Sequence, residues 1–253
     1  MMIDIAAAAD VLDKAQCEAR PVPQFGEGLD LDGAYRVQKA LIDRRLARGE
    51  RRVGMKLGFT SRAKMIQMGV DDLIWGTLTD KMLVEDGGTL LMSRFIHPRV
   101  EPEIAFRLSK RLSGVVSLEE ASDAIEAAAP AMEIIDSRYA NFRFSLCDVV
   151  ADNSSSAALV IGAWQRNFGA LNHMPMRLFF DETIVQSGSS DAILGNPLEA
   201  LVEAARLAGQ YGAALMPGDI VLAGAATAAE ALKPGTRVRV ETDGLGGASF
   251  ITQ

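Results

Sequence analysis

One stretch of the chain alternates strictly along its whole length: Arg99-Val100-Glu101-Pro102-Glu103-Ile104-Ala105-Phe106-Arg107-Leu108. A period of two predicts a β-strand with one face in a core. The other face carries Glu101 and Glu103 side by side, about 7 Å apart along the strand. Two interpretations are open. Pro102 favours a solvated edge strand, because proline in sheets is confined to edges and bulges. Alternatively, the two carboxylates are hard oxygen ligands for a divalent cation.

A third carboxylate in a similar setting favours the second interpretation. Ala131-Met132-Glu133-Ile134-Ile135-Asp136 has the pattern of a buried strand, and Glu133 is the only charge within its apolar run. A buried carboxylate without a partner is costly or shifts its pKa. Glu133 therefore needs a cationic partner.

A lone lysine also lies in an apolar strand pattern. Lys56 is the only charge within Val53-Gly54-Met55-Lys56-Leu57-Gly58-Phe59. Either its ammonium reaches the surface along its aliphatic stem, or it is a cation held in a pocket. The sequence alone leaves both interpretations open.

Composition excludes several classes of protein. The 253 residues are 49% hydrophobic, which is enough to build a sizeable core. A net charge of −7 with scattered basic residues argues against a nucleic-acid partner, and no apolar run is long enough for a membrane helix. The start of the chain, with no basic segment, does not indicate a secretory signal. Two distant cysteines indicate reduced thiols in a cytoplasm, and two histidines argue against a histidine-rich metal site.

The pattern of elements predicts an α+β protein with a mixed, mostly antiparallel β-sheet core. We expect a single domain over 1–253, with a helical N-terminal segment (1–50) and a β-rich catalytic core (51–253). Predicted helices cover 3–19, 32–49 with Asp32 as N-cap, 61–68, 117–129 and 196–208. Predicted hairpins cover 82–91, 176–186 and 237–251.

Four segments together resemble a known family. They are Gly54-Met55-Lys56-Leu57-Gly58-Phe59-Thr60-Ser61, Ile96-His97-Pro98-Arg99-Val100-Glu101-Pro102-Glu103-Ile104, Met132-Glu133-Ile134-Ile135-Asp136-Ser137-Arg138-Tyr139 with Asn141-Phe142, and Val150-Ala151-Asp152-Asn153-Ser154-Ser155. In sequence, order and spacing they resemble segments of the hydratase/decarboxylase family of meta-cleavage aromatic catabolism. This family has the fumarylacetoacetate hydrolase-like fold. The resemblance covers nearly the whole chain and includes the late Leu194-Gly195-Asn196-Pro197-Leu198 and Gly218-Asp219-Ile220 segments.

The resemblance implies one of two activities. One is decarboxylation of 2-oxo-3-hexenedioate (4-oxalocrotonate), and the other is hydration of 2-hydroxypenta-2,4-dienoate. The hydratase branch typically carries an acidic residue where this chain has Ile74, which favours the decarboxylase. His97-Pro98 and Asp136-Ser137-Arg138-Tyr139 also resemble the decarboxylase branch, whereas Asn196 and Pro102 depart from the family pattern. A non-catalytic partner subunit is a third hypothesis, against which the intact set of acidic residues and Lys56 argues.

The resemblance also implies the site. Glu101, Glu103 and Glu133 are expected to bind Mg²⁺ (or Mn²⁺). Lys56, Ser154 and Ser155 are the expected catalytic residues, with turn formation as the alternative for the serines. Arg138, Leu57 and Ile74 are expected to contact a 2-oxo dicarboxylic acid, although Arg138 is as consistent with a structural ion pair to Asp136. His97 is expected to be a packed loop residue. A homo-oligomer, associating with the hydratase of the pathway, is the expected assembly.

Overall fold

Each described α-helix of the protein is capped at its N-terminus by a polar side chain. The structure is a computed structural model that describes residues 3–61, 65 and 72–253. Within these ranges the α-helices are α1 (Ile5–Glu18), α2 (Leu31–Ala47), α3 (Leu118–Asp123), α4 (Leu146–Ala151) and α5 (Pro197–Gln210). Ser117 and Glu120 form the capping box of α3, and Asn196 caps α5 ahead of Pro197. None of the helices described is long and apolar enough to cross a membrane.

A mixed sheet of eight strands forms the larger layer. Its order is β2 (Ile74–Thr79), β1 (Arg52–Gly58), β10 (Ile220–Leu222), β5 (Arg99–Leu108), β6 (Ile125–Ile135), β7 (Ser156–Ile161) and β3 (Leu83–Val84), and β11 (Glu230–Ala231) also pairs with β5. Only the β1–β10 and β3–β7 pairs are parallel in this sheet. The strand predicted from the alternating stretch, β5, therefore lies inside the sheet and not at its edge.

A second sheet of five strands packs against β5, β6 and β7. Its order is β4 (Gly88–Leu90), β13 (Gly246–Thr252), β12 (Arg237–Thr242), β8 (Pro175–Phe180) and β9 (Thr183–Ser189). The β8–β9 and β12–β13 hairpins confirm two of the predicted hairpins. Antiparallel pairs outnumber parallel ones across both sheets, so the predicted α+β class with a mixed, mostly antiparallel core is confirmed.

The two faces of the larger sheet differ in character. One face carries the large apolar side chains of β5 and β6, such as Phe106 and Met132, into the main core against the second sheet and α5. The other face carries a smaller apolar cluster, which includes Ala105 and Leu222, together with Glu101, Glu103 and Glu133. Helices α1 and α2 pack with Ile74 of β2 and with α4 in a separate apolar cluster. The division into a helical segment and a β-rich core within one domain stays a prediction.

Three local predictions were wrong. The helix expected over 117–129 ends at Asp123, because the alanine-rich residues after it pair with β5 as strand β6, and this pairing outweighs the helical propensity of alanine. The hairpin expected over 82–91 is absent, since β3 joins the larger sheet and β4 joins the smaller one. Helix α2 is capped by Asp30, whose carboxylate accepts from the Gly33 N–H, and not by Asp32. The helix predicted over 61–68 falls largely outside the described residues.

Pro102 occupies a gap in the hydrogen-bond ladder. On the side of β5 away from β6, β11 pairs with Val100 and β10 begins to pair only at Ala105. Pro102 lies between them, where its carbonyl accepts from the Ala226 N–H at 2.9 Å. A residue without an N–H fits this place, because none of the described strands offers an acceptor there. The edge-strand interpretation of Pro102 is therefore wrong, and the local interruption accounts for the proline.

Candidate active site

Strand register brings three glutamates together. In the antiparallel β5–β6 pair, Glu101 lies directly opposite Glu133, and Glu103 follows two residues later on the same face. One carboxylate oxygen from each lies within 4.8 Å of the others. Like charges in directly opposite positions destabilise a sheet. The cluster therefore requires compensating positive charge.

The deeper carboxylates are held by specific donors. Glu103 and Glu133 are fully buried, whereas Glu101 is only partly buried. The Gly224 N–H donates to Oε2 of Glu103 at 2.8 Å, and the Ser156 hydroxyl donates to Oε1 of Glu133 at 2.7 Å. Within the described part of the chain, Oε1 of Glu103 has no hydrogen-bond partner although it is buried. A buried acceptor left unpaired in this way indicates a missing ligand.

The short strand β10 lets a lysine reach these carboxylates. Lys56 of β1 faces Leu222, the last residue of β10, and Leu222 in turn faces Ala105 of β5. Beyond this row the sheet has a gap between β1 and β5. Lys56 Nζ lies 2.9 Å from Oε2 of Glu133, in an ion-pair contact rather than an aligned hydrogen bond, and its side chain is 4% exposed. The interpretation of Lys56 as a snorkelling residue is thus excluded by its burial.

Gly224 turns the chain away after β10. It has a φ of 108°, and a Cβ there would lie 2.2 Å from the hydroxyl oxygen of Thr60. Only glycine fits both the backbone conformation and the space. This turn ends the ladder and directs the Gly224 N–H at the Glu103 carboxylate.

Burial and repulsion set the protonation of the cluster. Burial raises the pKa of Glu103 well above its ordinary value, and repulsion from Glu133 adds to the shift. Burial also raises the pKa of Glu133, although Lys56 opposes the change. Burial alone would lower the pKa of Lys56, but attraction to the three carboxylates outweighs it and holds that pKa above the usual value. Lys56 is therefore a cation held beside the cluster.

A cavity of about 500 Å³ opens beside the cluster. The expected site residues Lys56, Leu57, Ile74, Ser154 and Ser155 line it. Its other walls include Arg99, Glu101, Ile135, Asn141, Phe142, Phe144 and Val149. The lining combines the charged Lys56, Arg99 and Glu101 with apolar side chains such as Leu57, Ile135 and Phe142. Such a site suits a small organic acid.

A left-handed turn presents the two serines. Asn153, Ser154 and Ser155 have φ values of 50°, 52° and 58°, which is unfavourable for residues other than glycine. Asn153 holds the turn, because its amide group accepts from the Thr77 N–H at 2.7 Å and donates to the Thr77 carbonyl at 2.9 Å. Ser154 Oγ donates to the Trp75 carbonyl at 2.8 Å. Ser155 Oγ is buried without a partner in the described chain, so it is the hydroxyl available to a ligand.

Arg138 lies outside the lining of this cavity. Its side chain is 1% exposed and forms an ion pair with Asp152, and its Nη1 donates to the Asp136 carbonyl at 2.7 Å. The Asp136 carboxylate instead accepts from the N–H groups of Ile96 and His97, both at 2.8 Å. Arg138 does not line the cavity described above. The expectation that it contacts substrate is therefore not supported by its placement, and its fixed pairing organises the loop behind the site.

Several groups at the site were not identified from the sequence. Arg99 stands at the start of the alternating stretch, where its parity with Glu101 indicates the same face. Asn153 lies in a run of turn-forming residues, but nothing local indicates its contact with Thr77. Gly224 carries a weak signal, since it follows a strand pattern directly.

Comparisons with known proteins identify the family of the chain. The family model for the fumarylacetoacetate (FAA) hydrolase C-terminal domain matches residues 62–249. A 4-oxalocrotonate decarboxylase of a Pseudomonas species is 52% identical over 250 residues, covering 98% of each chain. A 2-keto-4-pentenoate hydratase of Dechloromonas aromatica (strain RCB) is 37% identical and covers 99% of this chain and 97% of its own.

A solved structure is similar over almost the whole chain. It is the 4-oxalocrotonate decarboxylase from Pseudomonas putida G7 complexed with magnesium and adipate, with a TM-score of 0.95 and 34% identity over 98% of this chain and 97% of that one. The family model and these full-length relatives lead to one conclusion: the chain belongs to the fumarylacetoacetate hydrolase family.

Proposed function

We propose that the protein is a carbon–carbon lyase that decarboxylates 2-oxo-3-hexenedioate to 2-hydroxypenta-2,4-dienoate, in meta-cleavage aromatic catabolism. The observation that carries the proposal is the buried cluster of Glu101, Glu103 and Glu133 with Lys56 beside a cavity for a small acid. The 52% identical relative named 4-oxalocrotonate decarboxylase supports the choice of reaction.

The cluster fits a divalent cation such as Mg²⁺ (or Mn²⁺). Among the described residues, the ammonium group beside the buried Glu103 and Glu133 is that of Lys56, which pairs with Glu133. The unpaired Oε1 of Glu103 supports a ligand at that place, and oxygen-only donors match the preference of hard cations. We infer that Glu101, Glu103 and Glu133 hold the ion. When bound, it would supply Lewis acidity to a keto oxygen of the substrate.

The side chains of the protein have separate tasks in this reaction. Loss of CO₂ from the distal carboxyl group sends an electron pair through the conjugated C=C bond onto the keto oxygen, which then takes a proton to give the dienol. Lys56 places fixed positive charge near the end of the cavity where that negative charge develops. Ser155 Oγ is free to donate to the carboxylate next to the ketone. Neither role requires water at the reacting carbon atoms.

The apolar wall of the cavity favours decarboxylation over hydration. Ile74 is 4% exposed and lines the cavity at the place where the hydratase branch typically carries an acid. Adding water to a C=C bond needs a group that transfers protons, and an isoleucine cannot do so. Hydration of 2-hydroxypenta-2,4-dienoate remains the second candidate, because the hydratase relatives align over nearly the full chain. A non-catalytic partner subunit is disfavoured by the complete cluster.

The test is to supply the two substrates separately. Purified protein with Mg²⁺ is expected to release CO₂ from 2-oxo-3-hexenedioate and to leave 2-hydroxypentadienoate unchanged. Conversion of the second substrate to 4-hydroxy-2-oxopentanoate without CO₂ would establish the hydratase instead. Inertness toward both would favour the partner subunit. Chelation of the metal is the matched control, since it should abolish either activity.

We also propose that the protein acts in the cytoplasm as a homo-oligomer that associates with the hydratase of its pathway. Passing a reactive dienol directly to the next enzyme would limit its loss to solvent. The two cysteines, Cys17 and Cys147, are free, which is consistent with a reducing compartment. Light scattering of the protein alone and mixed with the hydratase tests both parts.

A further inference from the structure

The cavity contains two cationic side chains from the described residues, and only one of them forms an ion pair with a described carboxylate. Lys56 is paired with Glu133. Arg99 also lines the cavity, and no carboxylate of the described chain forms an ion pair with it. A partly exposed guanidinium facing a cavity without a counter-ion is available for an anion.

Arg99 is held in place by an aromatic ring. Its guanidinium carbon lies 4.9 Å from the centre of the Phe142 ring, in a cation–π contact. Phe142 and the preceding Asn141 have φ values of 55° and 59°, so two successive residues adopt the unfavourable left-handed conformation. The ring of His97 also packs on Phe142, with the two ring centres 5.1 Å apart. The chain thus maintains a strained segment that positions the ring beneath the guanidinium.

Distance along β5 matches the length of the proposed substrate. Arg99 and Glu101 are two residues apart on the same face, which separates them by about 7 Å. In a six-carbon 2-oxo diacid, four carbon–carbon bonds separate the keto carbon from the distal carboxyl carbon, a span of about 5 Å. An acid bound with its 2-oxo end at the glutamates can therefore extend its distal carboxylate to Arg99. Phe142 and Ile135 would border the carbon chain between the two ends.

We propose that Arg99 binds the distal carboxylate of the substrate and so selects dicarboxylic over monocarboxylic 2-oxo acids. The inference rests on the proposed function, since it requires that the 2-oxo end of the substrate binds at Glu101, Glu103 and Glu133. Arg99 replaces Arg138 in this role, because Arg138 is already paired with Asp152. The planar guanidinium can form two parallel bonds to a carboxylate, which lysine cannot do.

The test compares two ligands that differ only at the distal end. Binding of 2-oxoadipate and 2-oxohexanoate is measured by calorimetry in the presence of Mg²⁺, for the wild type, Arg99→Met and Arg99→Lys. Arg143→Met, in an exposed arginine of the same segment, is the matched control. The wild type and the control should bind the diacid about 10- to 100-fold more tightly, as expected for a charge-assisted pair. Arg99→Met should bring the ratio close to one without weakening 2-oxohexanoate, and Arg99→Lys should fall between.

The outcomes separate the two proposals. Binding of 2-oxohexanoate by Arg99→Met, at wild-type strength, serves as the check that the variant is folded. An unchanged preference for the diacid in that variant, or no preference in the wild type, overturns the assignment of Arg99 while leaving the proposed function intact. Absence of Mg²⁺-dependent binding of either ligand to the wild type overturns the proposed function, and the assignment with it.

Discussion

Replacing Glu103 by glutamine should weaken cation binding and yet stabilise the protein without its cation. The amide oxygen can keep the hydrogen bond from the Gly224 N–H that Oε2 now accepts. The amide nitrogen then takes the place of Oε1, the oxygen for which the described residues supply no partner. A donor nitrogen at that place cannot ligate a cation, but it can donate to the facing carboxylates of Glu101 and Glu133.

The magnitude follows from the spacing of the charges. At 4.8 Å, the largest separation in the cluster, two unit charges repel by about 3.5 kcal/mol at an effective dielectric constant of ~20. Protonation of the wild-type carboxylates already relieves part of this repulsion, since burial raises the pKa of Glu103. We therefore expect the cation-free variant to gain about 1 to 3 kcal/mol of unfolding free energy. Affinity for Mg²⁺ should fall by at least ~100-fold.

Two measurements check the expected loss of Mg²⁺ affinity and the expected gain in stability of the cation-free protein. Calorimetric titration with MgCl₂ gives the affinity, and thermal unfolding with chelator or with excess MgCl₂ gives the stability of each state. Glu182→Gln, in the exposed turn between β8 and β9, is the control, and both quantities should stay at their wild-type values. Unchanged Mg²⁺ affinity in Glu103→Gln would refute the assignment of the cation to this cluster. A cation-free variant less stable than the wild type would refute the electrostatic account.

Three further outcomes are expected. Because burial raises the pKa of Glu103 and Glu133, their contribution to the stability of the cation-free protein is present at low pH and is lost as the pH rises through the raised pKa values. Mg²⁺ should thus increase the melting temperature more in mildly alkaline than in mildly acidic buffer, and a pH-independent increase would contradict this. Ser155→Ala should leave the melting temperature nearly unchanged, since the hydroxyl has no partner among the described residues, but raise KM about 5- to 20-fold; an unchanged KM would remove the serine from substrate binding. Asn153→Ala should lower the free energy of unfolding, measured with denaturant, by about 2 to 4 kcal/mol, because it removes the partner of both the N–H and the carbonyl of Thr77. A loss under ~1 kcal/mol would argue against the role of Asn153 in holding the serine turn.

The sequence predicted the acidic residues better than it predicted their arrangement. Alternation in β5 put Glu101 and Glu103 on one face, and the apolar run around Glu133 marked it as a buried charge. Both inferences depend only on neighbours along the chain. The pairing of Glu101 with Glu133 depends on strand register, which the sequence of neither strand determines alone. The family resemblance supplied that link.

Predictions from the sequence failed where contacts between residues far apart in the chain override the conformational preference of a local segment. The run from Ala127 to Ala129 favours a helix in isolation, but lies in a strand because β5 is available to pair with it. Arg138 was expected at the substrate because it is a charged residue in a family motif, whereas its position is decided by Asp152, fourteen residues away in sequence. No local pattern distinguishes a paired arginine from one available to bind an anion, and Arg99 was overlooked for the same reason.

The site depends on an interruption of the sheet. Had β10 continued past Leu222, its backbone would occupy the space between β1 and the glutamates, and Lys56 would not reach Glu133. Pro102 and Gly224 both act against such continuation, one by removing an N–H from β5 and the other by turning the chain away. The backbone groups next to this gap are stable only if they form hydrogen bonds outside the ladder. The Gly224 N–H does so by donating to the Glu103 carboxylate. The acidic cluster therefore compensates for the broken ladder as well as providing cation ligands, so substitutions at Gly224 should impair cation binding through the backbone without altering any ligand.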